Sequence, residues 1–282
     1  MTHPAAQLPL PIPCQRWRDR RGTYRPAGEP IDTRRFGVEP IDRATAKRFV
    51  CQHHYSGSFP AALVCVGLHE ARPFTAAKLV GVAVFSQPMS QHAVPKWTNQ
   101  RPEYGVELGR FVLLDEVAAN GETWMLARAL GHLRAERPQV RAVLSYSDPM
   151  ERVADDGTVT CPGHVGTIYQ ASSAHHAGRT RPSTLILDAH GRVVSARTLS
   201  KIRNGDRGAA GAYRTLLAHG APDRRAMESD GDYAARAIAE GPFRRTRHPG
   251  NIAYCFAVGG SGQRRAVRAG FKAPLPYPKR AA

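Results

Sequence analysis

The apolar positions of this chain recur with two periods, and the switches between them outline the elements. Ala46, Phe49, Val50 and His53 follow Asp42 at helical spacing, which predicts a helix capped by Asp42. It ends at His53-His54-Tyr55-Ser56-Gly57, where Gly57 suits a left-handed stop. Residues 62–68 and 79–85 are Val-rich runs that predict two buried strands joined by a longer loop. Residues 106–114 predict a third, its apolar pattern broken by Glu107, Gly109 and Arg110. Asn120 opens a helix through Arg137, with Leu126, Leu130 and Leu133 on one stripe. Residues 140–146 predict the next strand, and a helix begins near Val165. Residues 184–187 and 192–195 flank the turn Asp188-Ala189-His190-Gly191, and helices over 209–219 and 233–240 stop at Gly220 and Gly241. This order predicts an α/β (α+β) fold, a mixed sheet with helices against it.

Length divides the chain into a 1–38 basic flexible arm, a 39–222 catalytic domain and a 223–282 extension with a basic tail. The arm carries Arg18 and Arg21 among seven arginines. Lys plus Arg number 40 against 23 Asp plus Glu, a formal charge of +17, which predicts a polyanionic partner such as DNA or RNA. Lys201, Arg203 and Arg207 extend the basic arms into a DNA track, unless they form only a solvated face. The five cysteines are scattered without a CxxC pair, which argues against a cysteine-built zinc site and for a reducing compartment. No apolar run reaches the ~20 residues that span a membrane. Pro9, Pro11 and Pro13 break the only apolar patch of the N-terminus, so a cytoplasmic protein is expected.

Candidate chemistry gathers where a strand ends in Ser145-Tyr146-Ser147-Asp148-Pro149 and the segment Gly163-His164-Val165-Gly166-Thr167-Ile168-Tyr169-Gln170-Ala171 follows. Ligands of open α/β sheets bind beyond strand C-termini. The plainer reading is a turn into a helix, with Tyr169 a packing residue. His54 at a helix C-terminus is favoured in its charged form and would titrate near neutrality, whereas His53 lies on the packed face. Asp148 serves as a base, a metal ligand or a simple cap. With His54 and Tyr169 it offers iron a set of nitrogen and oxygen ligands, although no spacing enforces one. Glu107 and Arg110 lie on opposite strand faces unless a bulge at Gly109 intervenes. Tyr55, Tyr146 and Trp97 are candidates to stack on a base. His175 and His176 are neighbours on a helix and diverge.

Four motifs in order, His53-His54-Tyr55-Ser56-Gly57, Glu107-Leu108-Gly109-Arg110, Ser145-Tyr146-Ser147-Asp148 and the Gly163 to Ala171 segment, resemble the Mom family of phage DNA-modification proteins over about residues 40–220. The element order resembles the N-acetyltransferase (GNAT) architecture. The resemblance implies a GNAT-like, largely antiparallel sheet and conversion of the N6 amino group of adenine to N6-(methylcarbamoyl)adenine, which shields phage or mobile-element DNA from restriction. Its substrate would be double-stranded or locally unpaired DNA in the host cytoplasm. His54, Tyr55, Arg110, Ser145, Asp148 and Tyr169 would carry catalysis, and iron is implied at His54, Asp148 and Tyr169.

The donor of the added group stays open. GNAT enzymes hold the CoA pyrophosphate with a Q/R-x-x-G-x-G/A loop, and the corresponding stretch here is Val117-Ala118-Ala119-Asn120-Gly121-Glu122-Thr123. Asn120, Gly121 and Thr123 at a helix N-terminus suit an anion. The arginine is missing, however, and Glu122 repels phosphate, so acetyl-CoA is a doubtful donor. The alternatives are a GNAT-type acetyl-CoA-dependent N-acyltransferase acting on a protein or small-molecule amine, and a non-catalytic nucleic-acid-binding protein.

Overall fold

The computed structural model describes residues 30–279 and, before them, the backbone of an antiparallel pair, β1 (Pro13–Arg18) and β2 (Arg21–Tyr24). The side chains of Arg18 and Arg21, and the flexibility expected of the arm, lie outside the described residues. Along the chain follow β3 (Phe36–Pro40), α1 (Arg43–His53), β4 (Ala62–Arg72), β5 (Thr75–Ser86), α2 (Ala93–Thr98), β6 (Gly105–Leu113), α3 (Gly121–Glu136) and β7 (Ala142–Ser147). Next come β8 (Glu151–Val153), β9 (Val159–Pro162), α4 (Thr167–Ala171), β10 (His175–Arg179), β11 (Ser183–Leu187) and β12 (Val193–Val194). The last third holds α5 (Ala196–Arg203), α6 (Ala209–Ala218), α7 (Asp230–Glu240), β13 (Arg244–His248), β14 (Ile252–Ala257) and α8 (Ser261–Ala269).

Two compact units result. The first comprises residues 1–149, 164–180 and 251–282. Its seven-stranded sheet runs β10-β14-β7-β6-β5-β4-β3. Every neighbouring pair is antiparallel except β6 and β7, which run parallel because α3 crosses between them. That pairing lasts only from Gly105–Ala142 to Glu107–Leu144, after which the two strands part. Alternation along the strands explains the two-sided core. Val64, Val66, Leu68 and Phe85 point to Met125, Leu126 and Leu133 of α3, while Cys65, Val82, Val84 and Val112 point to Ala46, Phe49 and Val50 of α1. This is the mixed, mostly antiparallel, helix-flanked sheet that the sequence predicts.

Several boundaries differ. β4 and β5 extend into one long hairpin that turns at Pro73-Phe74, so the longer loop expected between them is absent. The folded body starts before residue 39: Ile31 is buried in the core and β3 forms the sheet edge. Residues 223–282 are no extension, because β14 is fully buried between β10 and β7. His175 and His176 lie on strand β10 rather than on a helix.

The second unit comprises residues 150–163 and 181–250. It contains the β8–β9 hairpin, a sheet ordered β12-β11-β13, and α5 to α7 packed around Leu199, Leu216 and Tyr233. Asp188 is buried at its turn and fully used. Its carboxylate accepts from the Arg192 and His190 backbones, from Arg192 Nε at 2.7 Å and from His219 Nδ1 at 2.7 Å.

Candidate active site

The first wall of the site is the end of α1. Asp42 caps that helix by accepting from Thr45 N at 2.9 Å, and the last turn closes with His54 N–H on Val50 O at 2.9 Å. His54 then leaves helical geometry and folds back on its own loop. The Ser56 backbone N–H donates to His54 Nδ1 at 3.2 Å, and Ser56 Oγ lies 2.9 Å from the same nitrogen. A ring nitrogen that accepts from a backbone N–H carries no proton, so the neutral ring holds its hydrogen on Nε2. Burial, and then the positive charges of Arg110 and His164, push the His54 pKa down to about 3. The helix-end stabilisation of a charged His54 expected from sequence is thereby overridden: this residue is a neutral N–H donor at physiological pH. Tyr55 stacks on it with ring centroids 4.3 Å apart and meets His164 edge-on at 6.4 Å.

The second wall is β6. Val84 lies opposite Arg110 and Phe85 opposite Leu108, so Gly109 is an extra residue that β5 does not match. Residues opposite one another in antiparallel strands project to the same side. Glu107 therefore shares the side of Ser86, and Arg110 shares that of Val84, both on the α1 face. The guanidinium of Arg110 is fixed by Ser58, donating from Nε to its carbonyl at 2.9 Å and from Nη2 to its hydroxyl at 2.8 Å. Burial lowers the Arg110 pKa, an effect that nearby Tyr55 and Glu107 oppose. Burial also raises the pKa of Glu107, which Arg110 only partly offsets. Sequence reasoning missed Glu107 as a site residue because strict alternation sends it to the wrong face; the glycine in Glu107-Leu108-Gly109-Arg110 was the available signal.

The third wall is β7 with α4. Ser145 and Ser147 are buried; the Ser147 hydroxyl finds no hydrogen-bond partner among the described residues, while that of Ser145 faces the Tyr169 phenol. Tyr169 projects from α4 between Tyr254 at 5.3 Å and Phe256 at 6.4 Å. Burial raises its pKa, with Ser145 pulling the other way, so the phenol stays protonated. Gly166 makes the approach achievable. It sits at φ +76°, and a Cβ there would lie 2.6 Å from the Tyr254 ring and 2.9 Å from that of Tyr169. His164 donates its backbone N–H to Asp148 O at 2.7 Å, and burial lowers its pKa to about 4 although Asp148 opposes the shift. Gln170 is structural, donating to Val165 O, Tyr254 Oη and Pro278 O at 3.0 to 3.1 Å.

The parting of β6 and β7 thus gathers His54, Tyr55, Arg110, Ser145, Asp148 and Tyr169 into one neighbourhood and adds Glu107 and His164. Trp97 lies in the core on the other side of β7 from Tyr169. Among the described residues no three His, Cys, Asp or Glu groups converge as metal ligands. Burial favours the neutral phenol at Tyr169. The groups expected to hold an anion at α3 are partly used within its own first turn. Gly121 N–H donates to Ala118 O at 3.2 Å and the Thr123 hydroxyl to Asn120 O at 3.0 Å, while Asn120 itself is left-handed and makes no side-chain cap. Lys201, Arg203 and Arg207 lie at the end of α5 and in the turn after it, within the second unit, and both arginines are exposed.

The sequence pattern of the Mom protein family matches residues 35–224. This chain belongs to the Mom family. Mom proteins are phage DNA-modification proteins. A tandem GNAT protein from the clavulanic acid biosynthesis pathway, solved without AcCoA, is similar over 80% of this chain and 99% of its own, at 10% identity and a TM-score of 0.40. The GphF GNAT-like decarboxylase in complex with isobutyryl-CoA is similar over 78% and 98%, at 13% identity and a TM-score of 0.30. Neither likeness says what this Mom-family chain binds. No curated protein matches it. Among the described residues no helix is long and apolar enough to cross a membrane.

Proposed function

We propose that this chain is a transferase that converts the N6 amino group of adenine in DNA to N6-(methylcarbamoyl)adenine. The observation that carries the reading is one neighbourhood, where β6 and β7 part, that sets two positive or donor groups, Arg110 and His54 Nε2–H, near a carboxyl of raised pKa, Glu107. An exocyclic amine is a poor nucleophile because its lone pair is delocalised into the ring. Attack on the carbonyl of an activated methylcarbamoyl donor, CH3NH–C(O)–X, forms the N6–C bond and breaks the C–X bond, X leaving with its electron pair. It needs a base for the amine proton and donors for the oxygen that gains negative charge. Glu107 serves as the base, and its raised pKa brings it closer to that task. Arg110 and His54 stabilise the developing oxyanion, and the neutral phenol of Tyr169 is a third donor. Because the N6 amine is paired inside a duplex, the adenine must be extruded, and Tyr55, held against His54, offers a ring on which to stack it. The net charge of +17 supports a polyanionic substrate.

Mass spectrometry of nucleosides from the DNA of an expressing host tests the reading. The expected result is a new adenosine species with the mass of the methylcarbamoyl adduct, absent with Glu107→Gln. Unmodified adenosine beside folded protein that turns over acetyl-CoA would replace it with the N-acyltransferase reading.

A further inference from the structure

A second concavity lies in the first unit, at the outer edge of β14. β10 pairs with β14 only as far as His175–Cys255, so Phe256 and Ala257 have no strand neighbour on that side. Instead a groove of about 830 Å³ opens there, between α3, α8 and the segment 274–277. That size lies within the range of ligand-holding clefts.

The lining divides by chemistry. Arg134 from α3 and Arg264 and Arg268 from α8 stand on it, and no carboxylate does. The guanidinium groups of Arg134 and Arg268 are exposed and make no hydrogen bond or ion pair among the described residues. Between them the surface is apolar or aromatic. Leu275 and Tyr277 stay 49% and 43% exposed, far above the core. Tyr277 is pinned by its hydroxyl to Ala174 O at 2.7 Å, which leaves a fixed ring facing solvent. Deeper in, Ser172 Oγ and His175 Nε2 are buried polar atoms with no partner among the described residues. A rigid exposed ring, unpaired hydrogen-bonding atoms and a row of free guanidinium groups are together what a nucleotide chain requires: a face to stack on, edges to read, and phosphates to neutralise.

We propose that this groove binds an unpaired DNA strand, with phosphates on Arg134 and Arg268 and a base against Tyr277. The inference rests on the reading that the chain acts on DNA, and it gives that reading a place for the strand flanking the extruded adenine. The groove lies beyond β14, on the far side of β7 from the β6–β7 crevice, so it is distinct from the catalytic neighbourhood.

Two variants test it by different physics. Arg134→Gln with Arg268→Gln removes two phosphate contacts. Binding of a fluorescein-labelled single-stranded oligonucleotide should weaken at least tenfold, and the slope of log affinity against log salt should shrink by about 1.4. Gly131→Trp removes no charge but fills the groove, since a Cβ at Gly131 meets nothing within 4 Å. It should weaken the same binding while leaving the melting temperature unchanged. Lys47→Gln with Arg72→Gln removes equal charge from exposed positions elsewhere and should change affinity much less. Wild-type affinity in both groove variants, or a loss no greater than in the charge control, overturns the inference. So does competition by free AMP as effective as by the oligonucleotide, which would make this a small-nucleotide site. Nucleoside analysis of the same proteins separates the two claims. Groove-dependent binding without any modified adenine sinks the proposed reaction and leaves the groove standing; modified adenine with groove-independent binding does the reverse.

Discussion

Glu107 and Arg110, three residues apart on β6, face the same side of the sheet because Gly109 has no counterpart on β5. A regular strand would put one of them on the α3 face. The bulge brings a carboxyl and a guanidinium into one crevice, and the burial that perturbs both pKa values is a consequence of that placement.

The bulge should therefore be fragile at Gly109. A Cβ there would collide with Ser86 Oγ and press on Pro60 Cγ at 3.2 Å. Gly109→Ala is expected to lower adenine modification more than tenfold, and Ser86→Ala in the same chain to restore part of it. A double-mutant cycle on modification rate measures the coupling, expected between 0.5 and about 3 kcal/mol for residues in contact. Strict additivity would show that the collision does not govern the site.

Glu107→Gln is expected to cut modification by about 10²–10⁴-fold, the usual range for a lost general base. Its effect on stability should have the opposite sign. A raised folded-state pKa means the fold favours the protonated carboxyl, so the stability it confers is full below the unfolded pKa and is lost as pH rises through the folded one. The permanently neutral Gln should thus melt no lower than wild type at pH 8. A marked drop in melting temperature would mean that the ionised carboxylate has a partner in the fold.

His54 should remain neutral to pH 5. With its pKa pushed to about 3, and that of His164 to about 4, the unfolded chain takes up protons that the folded chain refuses. The stability contributed by the neutral rings is full above about pH 6.5 and is lost as pH falls towards 4 and 3. Nitrogen-15 NMR of the imidazoles should find the Nε2–H tautomer of His54 at pH 5. Titration near 6.5 would refute the burial that keeps the ring neutral, and a proton on Nδ1 in the neutral ring would refute the tautomer and with it the donor role. His54→Ala should lower modification about 10²-fold or more while DNA affinity changes less than tenfold.

Tyr169→Phe removes one hydroxyl and keeps the ring packed against Tyr254 and Phe256. Modification should fall by about tenfold, as for the loss of one hydrogen bond of about 1.4 kcal/mol. Calorimetry should find the melting temperature within a few degrees of wild type. A wild-type rate would make Tyr169 a core residue and nothing more.

Local pattern sufficed where local forces decide. α1 with its Asp42 cap, α3, and the strands β4 to β7 are legible because each buries a face with a fixed period. The site motifs were legible as chemistry, and His54, Tyr55, Arg110, Ser145, Asp148 and Tyr169 do converge. Glu107 could not be assigned: a bulge at Gly109 is an open alternative in the sequence, but whether it forms is a mismatch between two strands that neither encodes alone. The titration of His54 was misjudged for a related reason: the helix end favours charge, but burial and Arg110, which comes from another element, outweigh it. The 252–257 run is as apolar as any strand here, yet its partners Ser145 to Ser147 lie about a hundred residues earlier, beyond the reach of periodicity.

The placement of β14 also sets when the molecule can act. Ser145, Tyr146 and Ser147 acquire their neighbours Tyr254, Ala253 and Ile252 only after the whole second unit has been made. Until then β7 is an open edge, and Tyr169 lacks both Tyr254 and Phe256. A ribosome-bound chain that has reached residue 224 carries every motif of the site but has no means to shape the crevice. The contacts of β7 and Tyr169 with β14 are therefore complete only once residues 252–257 have been made.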